Sequence, residues 1–148
     1  MATQIIKFFD LILVGIISGI LIGISLGYNP KTLSASSYLE QQQNAIKALN
    51  TLMPLLGLIA SILTLISAIL QRQNNLIILL IAAGLLIASG IITRFGNQPI
   101  NSIVMTWDFK TIPQNWIGLR DQWWNFHKMR TLTSFVSFCL IVWTVIKK

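Results

Sequence analysis

The chain has 148 residues, of which 54% are hydrophobic and only 10% carry a charged side chain, against roughly 25% charged residues in soluble proteins. This composition excludes an ordinary soluble domain and indicates a single integral membrane domain. The net charge of +7 does not point to nucleic acid, because the basic residues stand mostly beside the ends of apolar runs, where Lys and Arg reach the interface or set topology.

Four apolar runs predict four membrane-spanning helices. The runs are 11–28, 48–70, 76–92 and 132–146, and about 20 apolar residues cross a hydrocarbon core of ~30 Å. With their flanking residues, the predicted helices cover about 5–28, 37–70, 75–95 and 115–146. The predicted fold is therefore all-α, a polytopic four-helix membrane bundle in one domain over residues 1–148.

The first predicted helix carries glycines on one face. They recur every fourth residue, as Gly15, Gly19, Gly23 and Gly27. Small residues let helix backbones approach closely in lipid. The stripe therefore predicts a packing surface for another helix, including a helix of a second copy in a homo-oligomer. The alternative interpretation is a smooth groove that leaves room for a flat ligand.

The second predicted helix is too long for the bilayer. Ser37 and Glu40 have the spacing of a capping box that would open it, and a helix over 37–70 would span ~51 Å. Its first half is expected to project as a stalk, with Pro54 as a kink point. Polar residues share one face of this stalk, which is either solvated or turned inward over later polar residues; they are Glu40, Gln43 or Asn44, Lys47 and Asn50.

The remaining connections fix the predicted topology. The polar turn 71–75 is tight and makes the second and third helices antiparallel neighbours, whereas one long connection runs from Arg94 to about Asn115. The termini then share a face with the Arg72 turn, and the stalk shares the other face with the long connection. Basic residues close to the span ends favour cytoplasmic termini in an integral protein of a bacterial inner membrane, whereas the raw number of basic residues favours the face of the stalk as the cytoplasmic one.

Polar and aromatic groups concentrate where the third and fourth helices meet the long connection. On the fourth helix they step by three or four residues, which places them on one stripe: Trp116, Arg120, Trp123 or Trp124, His127, and Arg130 or Thr131. Arg94 and Asn97 leave the third helix at the same face and Asn101 follows them. Such groups at a bilayer boundary usually line a cavity, a pathway or a bound partner.

The residue types suggest proton-transfer chemistry on a flat substrate. An imidazole beside guanidinium groups is expected to be neutral at pH 7, so His127 would be the general base. Arg94, Arg120 and Arg130 would stabilise the resulting anion, and Trp123 and Trp124 would stack on an aromatic ring. The alternative is an interfacial anchor without chemistry. No metal site is expected, because one histidine, one distant cysteine and scattered acids give no ligand spacing.

Three stretches resemble the anthrone oxygenase-like family of small four-helix membrane proteins. They are Thr93-Arg94-Phe95-Gly96-Asn97-Gln98-Pro99-Ile100-Asn101, the segment 116–131, and Gln42-Gln43-Asn44 ahead of Leu52-Met53-Pro54. The resemblance implies an extramembrane lid built from extensions of the second and fourth helices and from the connection between the third and fourth. Characterised fungal members convert anthrones to anthraquinones without an evident cofactor. The positions that match the family's pattern are Arg94, Asn97, Asn101, Arg120, Trp123, His127, Arg130 and Thr131.

The sequence therefore predicts a membrane-embedded oxygenase or oxidoreductase that needs no cofactor. Its substrate would be a flat apolar anthrone-, phenol- or quinone-like molecule, oriented by Asn44, Asn97 and Asn101. Membrane lipid is the other expected partner. The alternative hypothesis is a non-enzymatic membrane module that binds lipid or a partner protein.

Overall fold

The computed structural model describes residues 2–147, and this part of the chain is helical and contains no strand. Its helices are α1 (Ala2–Gly27), α2 (Ala35–Leu49), α3 (Leu52–Leu70), α4 (Leu76–Ile92), α5 (Gln98–Val104) and α6 (Trp116–Ile146). Four segments are long and apolar enough to cross a membrane: Thr3–Thr32, Leu52–Leu70, Leu76–Val104 and Trp116–Ile146. The predicted all-α fold with four membrane-spanning helices is confirmed.

The four long helices form an antiparallel ring in which α1 and α4 each contact both α3 and α6. Small buried residues such as Ala60 and Ala82 let the helices approach closely. Hydroxyl groups tie them together: Ser18 donates to the carbonyl of Ser134 at 3.1 Å, and Ser134 donates to the Ser89 hydroxyl at 2.9 Å. Every such bond satisfies a polar group that lipid could not solvate.

The predicted helix over 37–70 is two helices, because the chain breaks at Asn50 and Thr51. Pro54 lies in the first turn of α3, where a missing N–H is tolerated. In a continuous helix the backbone N–H at position 54 would donate to the carbonyl of Asn50, but proline has no such group. The carbonyl accepts instead from Nε2 of Gln98 at 3.1 Å, so the proline acts one turn before its own position.

The start of α2 also differs from the predicted capping box. Ser34, not Ser37, caps the helix, and its hydroxyl accepts from the backbone N–H of Ser37 at 3.3 Å. The helix therefore begins at Ala35. Ser34 has an extended backbone, as an N-cap residue should.

The connection after the third span is shorter than expected. Instead of ending near residue 95, α4 continues through a π-helical turn over Thr93–Asn97 into α5. The N–H of Gln98 reaches back to the carbonyl of Thr93 across this turn. Only residues 105–115 are then left as a connection to α6.

Only Gly15 of the glycine stripe packs against another helix within residues 2–147. Gly15 packs against the ring of Phe138, where an added Cβ would lie 3.1 Å from the ring. No atom lies within 4 Å of a Cβ built on Gly19, Gly23 or Gly27. These three face outward, and the homo-oligomer stays a prediction.

A second apolar core joins α2, α5 and the first half of α6 at one end of the bundle. It includes Leu39, Ile46, Val104 and Trp124. Gln43 pins α2 to the end of α5 by donating to the carbonyls of Val104 at 3.1 Å and Trp107 at 3.0 Å. The elements expected to form a lid gather here, and their place outside the membrane stays a prediction.

Candidate ligand-binding cavity

A cavity of about 370 Å³ lies beneath α2, between α1, the start of α3 and α6. This volume falls within the range of roughly 300–1,000 Å³ that ligand pockets have. Its surface is largely apolar. The lining residues are Leu21, Ile24, Tyr28, Gln41, Gln42, Asn44, Ala45, Ile46, Leu49, Asn50, Met53, Pro54, Thr93, Asn101, Trp123 and Arg130.

Asn101 is the centre of a polar network along the cavity wall. Its Oδ1 accepts from Nε1 of Trp123 at 2.8 Å and from Nε2 of Gln42 at 3.5 Å. Its Nδ2 donates to Oδ1 of Asn50 at 2.8 Å, and the hydroxyl of Tyr28 donates to Oε1 of Gln42 at 3.0 Å. Because the network joins side chains from several elements, it fixes the orientation of each amide.

Arg130 is the cationic group of the cavity. Its Nε and Nη2 lie 3.3 and 3.1 Å from Nδ1 of His127, and Nη1 lies 3.5 Å from the hydroxyl of Thr93. The guanidinium also lies 5.8 Å from the ring centroid of Trp123. No acidic side chain lines the cavity, and neither ion pair found within residues 2–147 includes Arg130. The guanidinium therefore faces the cavity without a carboxylate partner.

His127 lies behind the cavity wall and is fully buried. An arginine N–H can only donate, so Nδ1 accepts from Arg130 and the neutral ring carries its proton on Nε2. That nitrogen lies 3.0 Å from the hydroxyl of Ser25, which donates onward to the carbonyl of Leu21 at 3.0 Å. Both ring nitrogens are thus occupied, and a ligand reaches the imidazole only by way of Arg130.

Three further predicted site residues support this wall from behind. The ring of Trp124 is near-parallel to that of His127, with centroids 5.3 Å apart. Thr131 lies 3.5 Å from Nε2 of His127. Asn97, fully buried, donates to the carbonyl of Trp123 at 3.0 Å. Of the predicted residues, Asn44, Asn101, Trp123 and Arg130 line the cavity itself.

Two predicted arginines are not part of this cavity, which corrects the expectation that all three guanidinium groups converge. Arg94 is exposed on the π-helical turn and donates to Oε1 of Gln98 at 3.3 Å. Arg120 pairs with Asp121 at 2.8 Å and lies 5.1 Å from the ring centroid of Trp116. Each contacts a close sequence neighbour, and Arg94 lines a second cavity that also includes Arg130.

Sequence reasoning omitted several residues from the site: Ser25, Tyr28, Gln42, Asn50 and Thr93. A signal existed for Asn50, because the polar face of the second helix could turn inward. Asn44 and Asn50 on that face line the cavity, whereas Glu40 and Lys47 do not. Ser25 and Tyr28 lie in an apolar helix, where nothing local marks them.

The donor set suits an organic ligand. Within residues 2–147 no group of three or more His, Cys, Asp or Glu side chains is placed to hold a metal ion. The cavity offers amides, a phenol, an indole and a guanidinium, which bind carbonyl, hydroxyl and anionic oxygens.

Comparison with known proteins places the chain in a family. No curated protein and no solved structure matches it. The family model described as "Anthrone oxygenase" matches residues 43–140, which include α3, α4, α5, the end of α2 and most of α6. The resemblance drawn from the sequence is thereby confirmed, and the chain belongs to the anthrone oxygenase family.

Proposed function

We propose that the protein is a membrane oxidoreductase of the oxygenase type. Its substrate is a flat, apolar aromatic molecule with an anthrone-, phenol- or quinone-like ring, bound in the cavity beneath α2. Family membership supports the reaction class, and the size and lining of the cavity support the substrate class. Asn44 and Asn101 orient the oxygen atoms of the ligand, and Trp123 contacts its ring.

The observation that carries the proposal is Arg130 in the wall of an otherwise uncharged cavity. A cation without a carboxylate beside it, in a largely apolar site, favours a bound anion. A phenolate or an anthrone carbanion supplies such a charge only after it loses a proton. Arg130 therefore stabilises the deprotonated substrate more than the neutral one, which is the condition for accelerating the step.

His127 is the proposed proton acceptor. Its Nδ1 is bonded to Arg130 in the free protein, so the base is released when the guanidinium turns from Nδ1 towards an oxygen atom of the bound neutral substrate. The substrate C–H or O–H bond then breaks, and the proton passes to Nδ1. Dioxygen is the co-substrate: the carbanion bonds to it, the resulting peroxide anion takes the proton back from Nδ1 to give a hydroperoxide, and loss of water from the hydroperoxide leaves a carbonyl group. The imidazole of His127 is held in place by Thr131 and Ser25. The wall behind the cavity is supported by Trp124 and Asn97.

The test is turnover of an anthrone by protein in lipid nanodiscs. Oxygen uptake is measured with an electrode and quinone formation by absorbance. Arg130→Met is expected to lower kcat by about 10²–10³-fold, the loss typical of removing an anion-stabilising donor. Arg130→Lys keeps the positive charge, so its kcat is expected to fall less than that of Arg130→Met. Arg72→Met in the exposed turn before α4 is the matched control and keeps full activity.

Two outcomes would contradict the proposal. Unchanged turnover in Arg130→Met would show that Arg130 does not stabilise an anion in the reaction. Binding of aromatic ligands without oxygen uptake, across a panel of anthrones, phenols and hydroquinones, would favour the non-enzymatic membrane module.

A further inference from the structure

A second cavity, of about 340 Å³, lies deeper in the bundle between α3 and α4. It shares Leu21, Met53, Pro54, Thr93 and Arg130 with the cavity beneath α2. These side chains form a thin partition between the two spaces. We call the space between α3 and α4 the lateral cavity.

The lateral cavity opens towards lipid. Its outer lining includes Leu58, Ile87, Ile91 and Phe95, which are 59%, 45%, 54% and 76% exposed on the outside of the two helices. All four lie on membrane-spanning segments. Large apolar side chains exposed there face hydrocarbon, so the opening faces the acyl chains of the bilayer.

The occupant that fits this space is a hydrocarbon chain. The lining hydroxyls already have partners in the protein: Ser61 donates to the carbonyl of Gly57 at 2.8 Å, and Ser89 donates to the carbonyl of Arg130 at 3.3 Å. Ser134 donates to Ser89 at 2.9 Å. The other polar lining groups are Thr93 and Arg130 at the shared edge and Arg94, which is exposed and donates to Oε1 of Gln98 at 3.3 Å.

We infer that the lateral cavity holds the tail of the same molecule whose ring occupies the cavity beneath α2. The substrate is then an anthrone or phenol with an alkyl or isoprenoid chain, and it arrives from the bilayer between α3 and α4. The corresponding quinone is the product and fits the same two cavities. This inference rests on the proposed function. The shared partition supports it, because Met53 is flexible and can move aside to let ring and chain lie in continuous space.

Glycines on both walls make the tail site testable without disturbing the fold. Gly57 of α3 and Gly90 of α4 line the lateral cavity, and no atom lies within 4 Å of a Cβ built on either. Leucine at either position would extend into the open space and narrow it. Gly84 of α4 is equally open but lines neither cavity, so Gly84→Leu is the matched control.

The first experiment compares two benzoquinones that differ only in a methyl or a decyl chain. Their binding to protein in nanodiscs is followed by tryptophan fluorescence, with concentration expressed per lipid. Gly57→Leu and Gly90→Leu are each expected to weaken decyl binding by about tenfold and to leave methyl binding unchanged. Gly84→Leu changes neither.

The outcomes separate the two proposals. If both ligands bind and the leucine variants treat them alike, the tail site is wrong and the proposed function stands. If neither quinone binds the wild-type protein, the tail site and the proposed function are both wrong.

A second experiment does not depend on how the variants fold. A decyl quinone with a diazirine at the chain end is photolysed in the wild-type protein, and the labelled peptides are sequenced. Label is expected on residues 57–61 and 87–91, and excess methyl quinone is expected to remove it. Equal labelling by a diazirine chain without the ring would mean that bilayer lipid occupies the lateral cavity, which overturns the inference.

Discussion

Gly96 lies against the ring of Phe126 with no space for a side chain. A Cβ at this position would lie 2.7 Å from Cγ and 2.8 Å from Cδ1 of the ring, atoms that cannot yield without moving α6. We expect Gly96→Ala to lower the free energy of unfolding by about 1–3 kcal/mol, the usual cost of overpacking. The measurement is the thermal unfolding midpoint in detergent.

Gly118→Ala is the control for this substitution. Gly118 also lies in a helix, and no atom lies within 4 Å of its added Cβ. Alanine favours the helix by up to about 1 kcal/mol over glycine, so the midpoint should stay the same or rise. A Gly96→Ala protein as stable as the wild type would show that the π-helical turn can shift away from Phe126.

His127→Phe tests the proposed base while keeping a ring in the buried site. Phenylalanine preserves packing beside Trp123, whose centroid lies 5.2 Å from that of the imidazole, but it offers Arg130 no acceptor. We expect kcat for an anthrone to fall by about 10²–10⁴-fold, the contribution typical of a general base. Near-ultraviolet circular dichroism checks that the fold is retained.

The split between kinetic constants distinguishes two roles of the imidazole. A base acts in the chemical step, so its loss lowers kcat and leaves KM close to its original value. If His127 only positions Arg130, the main change will be a higher KM. Full activity of the variant would refute both roles.

Local spacing identified part of the site. Trp123, His127 and Arg130 lie three or four residues apart, and the helical repeat alone places them on one face. Spacing could not show that Arg94 has Gln98 four residues away as a partner, or that Arg120 takes Asp121 next to it. Nor could it pair Ser25 with His127, because their contact depends on how α1 packs against α6.

At the scale of elements, Asn101 of α5 holds α2 over the cavity. Asn101→Leu would leave the buried indole N–H of Trp123 and the side chain of Asn50 without their partner. An unsatisfied buried group costs about 1–3 kcal/mol. We expect faster hydrogen–deuterium exchange in residues 35–49 and unchanged exchange in residues 76–92.

Ser102→Ala is the neighbouring control for Asn101→Leu. Ser102 is exposed, and its hydroxyl bonds only the carbonyl of Gln98 within its own helix. Exchange in α2 should therefore match the wild type. If Asn101→Leu also leaves α2 unchanged, the apolar contacts of Leu39 and Ile46 suffice to hold it.

The elements themselves were predictable where the signal is local. The length of the apolar runs predicted all four spans, and Pro54 predicted a kink in the second helix. The position of the break was not predictable, because it depends on Gln98 taking the carbonyl that the proline leaves free. The same limit applies to the π-helical turn after α4, which continues a helix where a loop was expected.

For the whole molecule, the cavity occupies the end of the bundle that carries α2, α5 and the residue 105–115 connection. The opposite end carries the turn between α3 and α4. Orientation in the membrane therefore decides which compartment the binding cavity faces. Composition could predict four spans, but a cavity between them depends on packing that no single segment encodes.

The density of basic residues beside the span ends predicts termini on the cytoplasmic side, whereas the raw number of basic residues favours the cavity end. At the cavity end Arg130 and Arg120 are engaged inside the protein, and Lys31 lies 3.6 Å from Asp121. The basic residues of the other end stand close to the span ends, where they act most strongly on topology; they are Lys7, Arg72 and Lys147. The cavity is then expected to face away from the cytoplasm.

Cysteine labelling tests this orientation in a Cys139→Ser background. Asn74 and Thr111 are exposed in the connections at opposite ends of the bundle, so Asn74→Cys and Thr111→Cys form a matched pair. A membrane-impermeant maleimide added to cells with a permeable outer membrane and an intact inner membrane should label the Thr111→Cys protein alone, since it reaches only the outer face of the inner membrane. Disrupting the inner membrane should expose the cysteine of Asn74→Cys as well. The reverse pattern would place the cavity on the cytoplasmic side of the membrane.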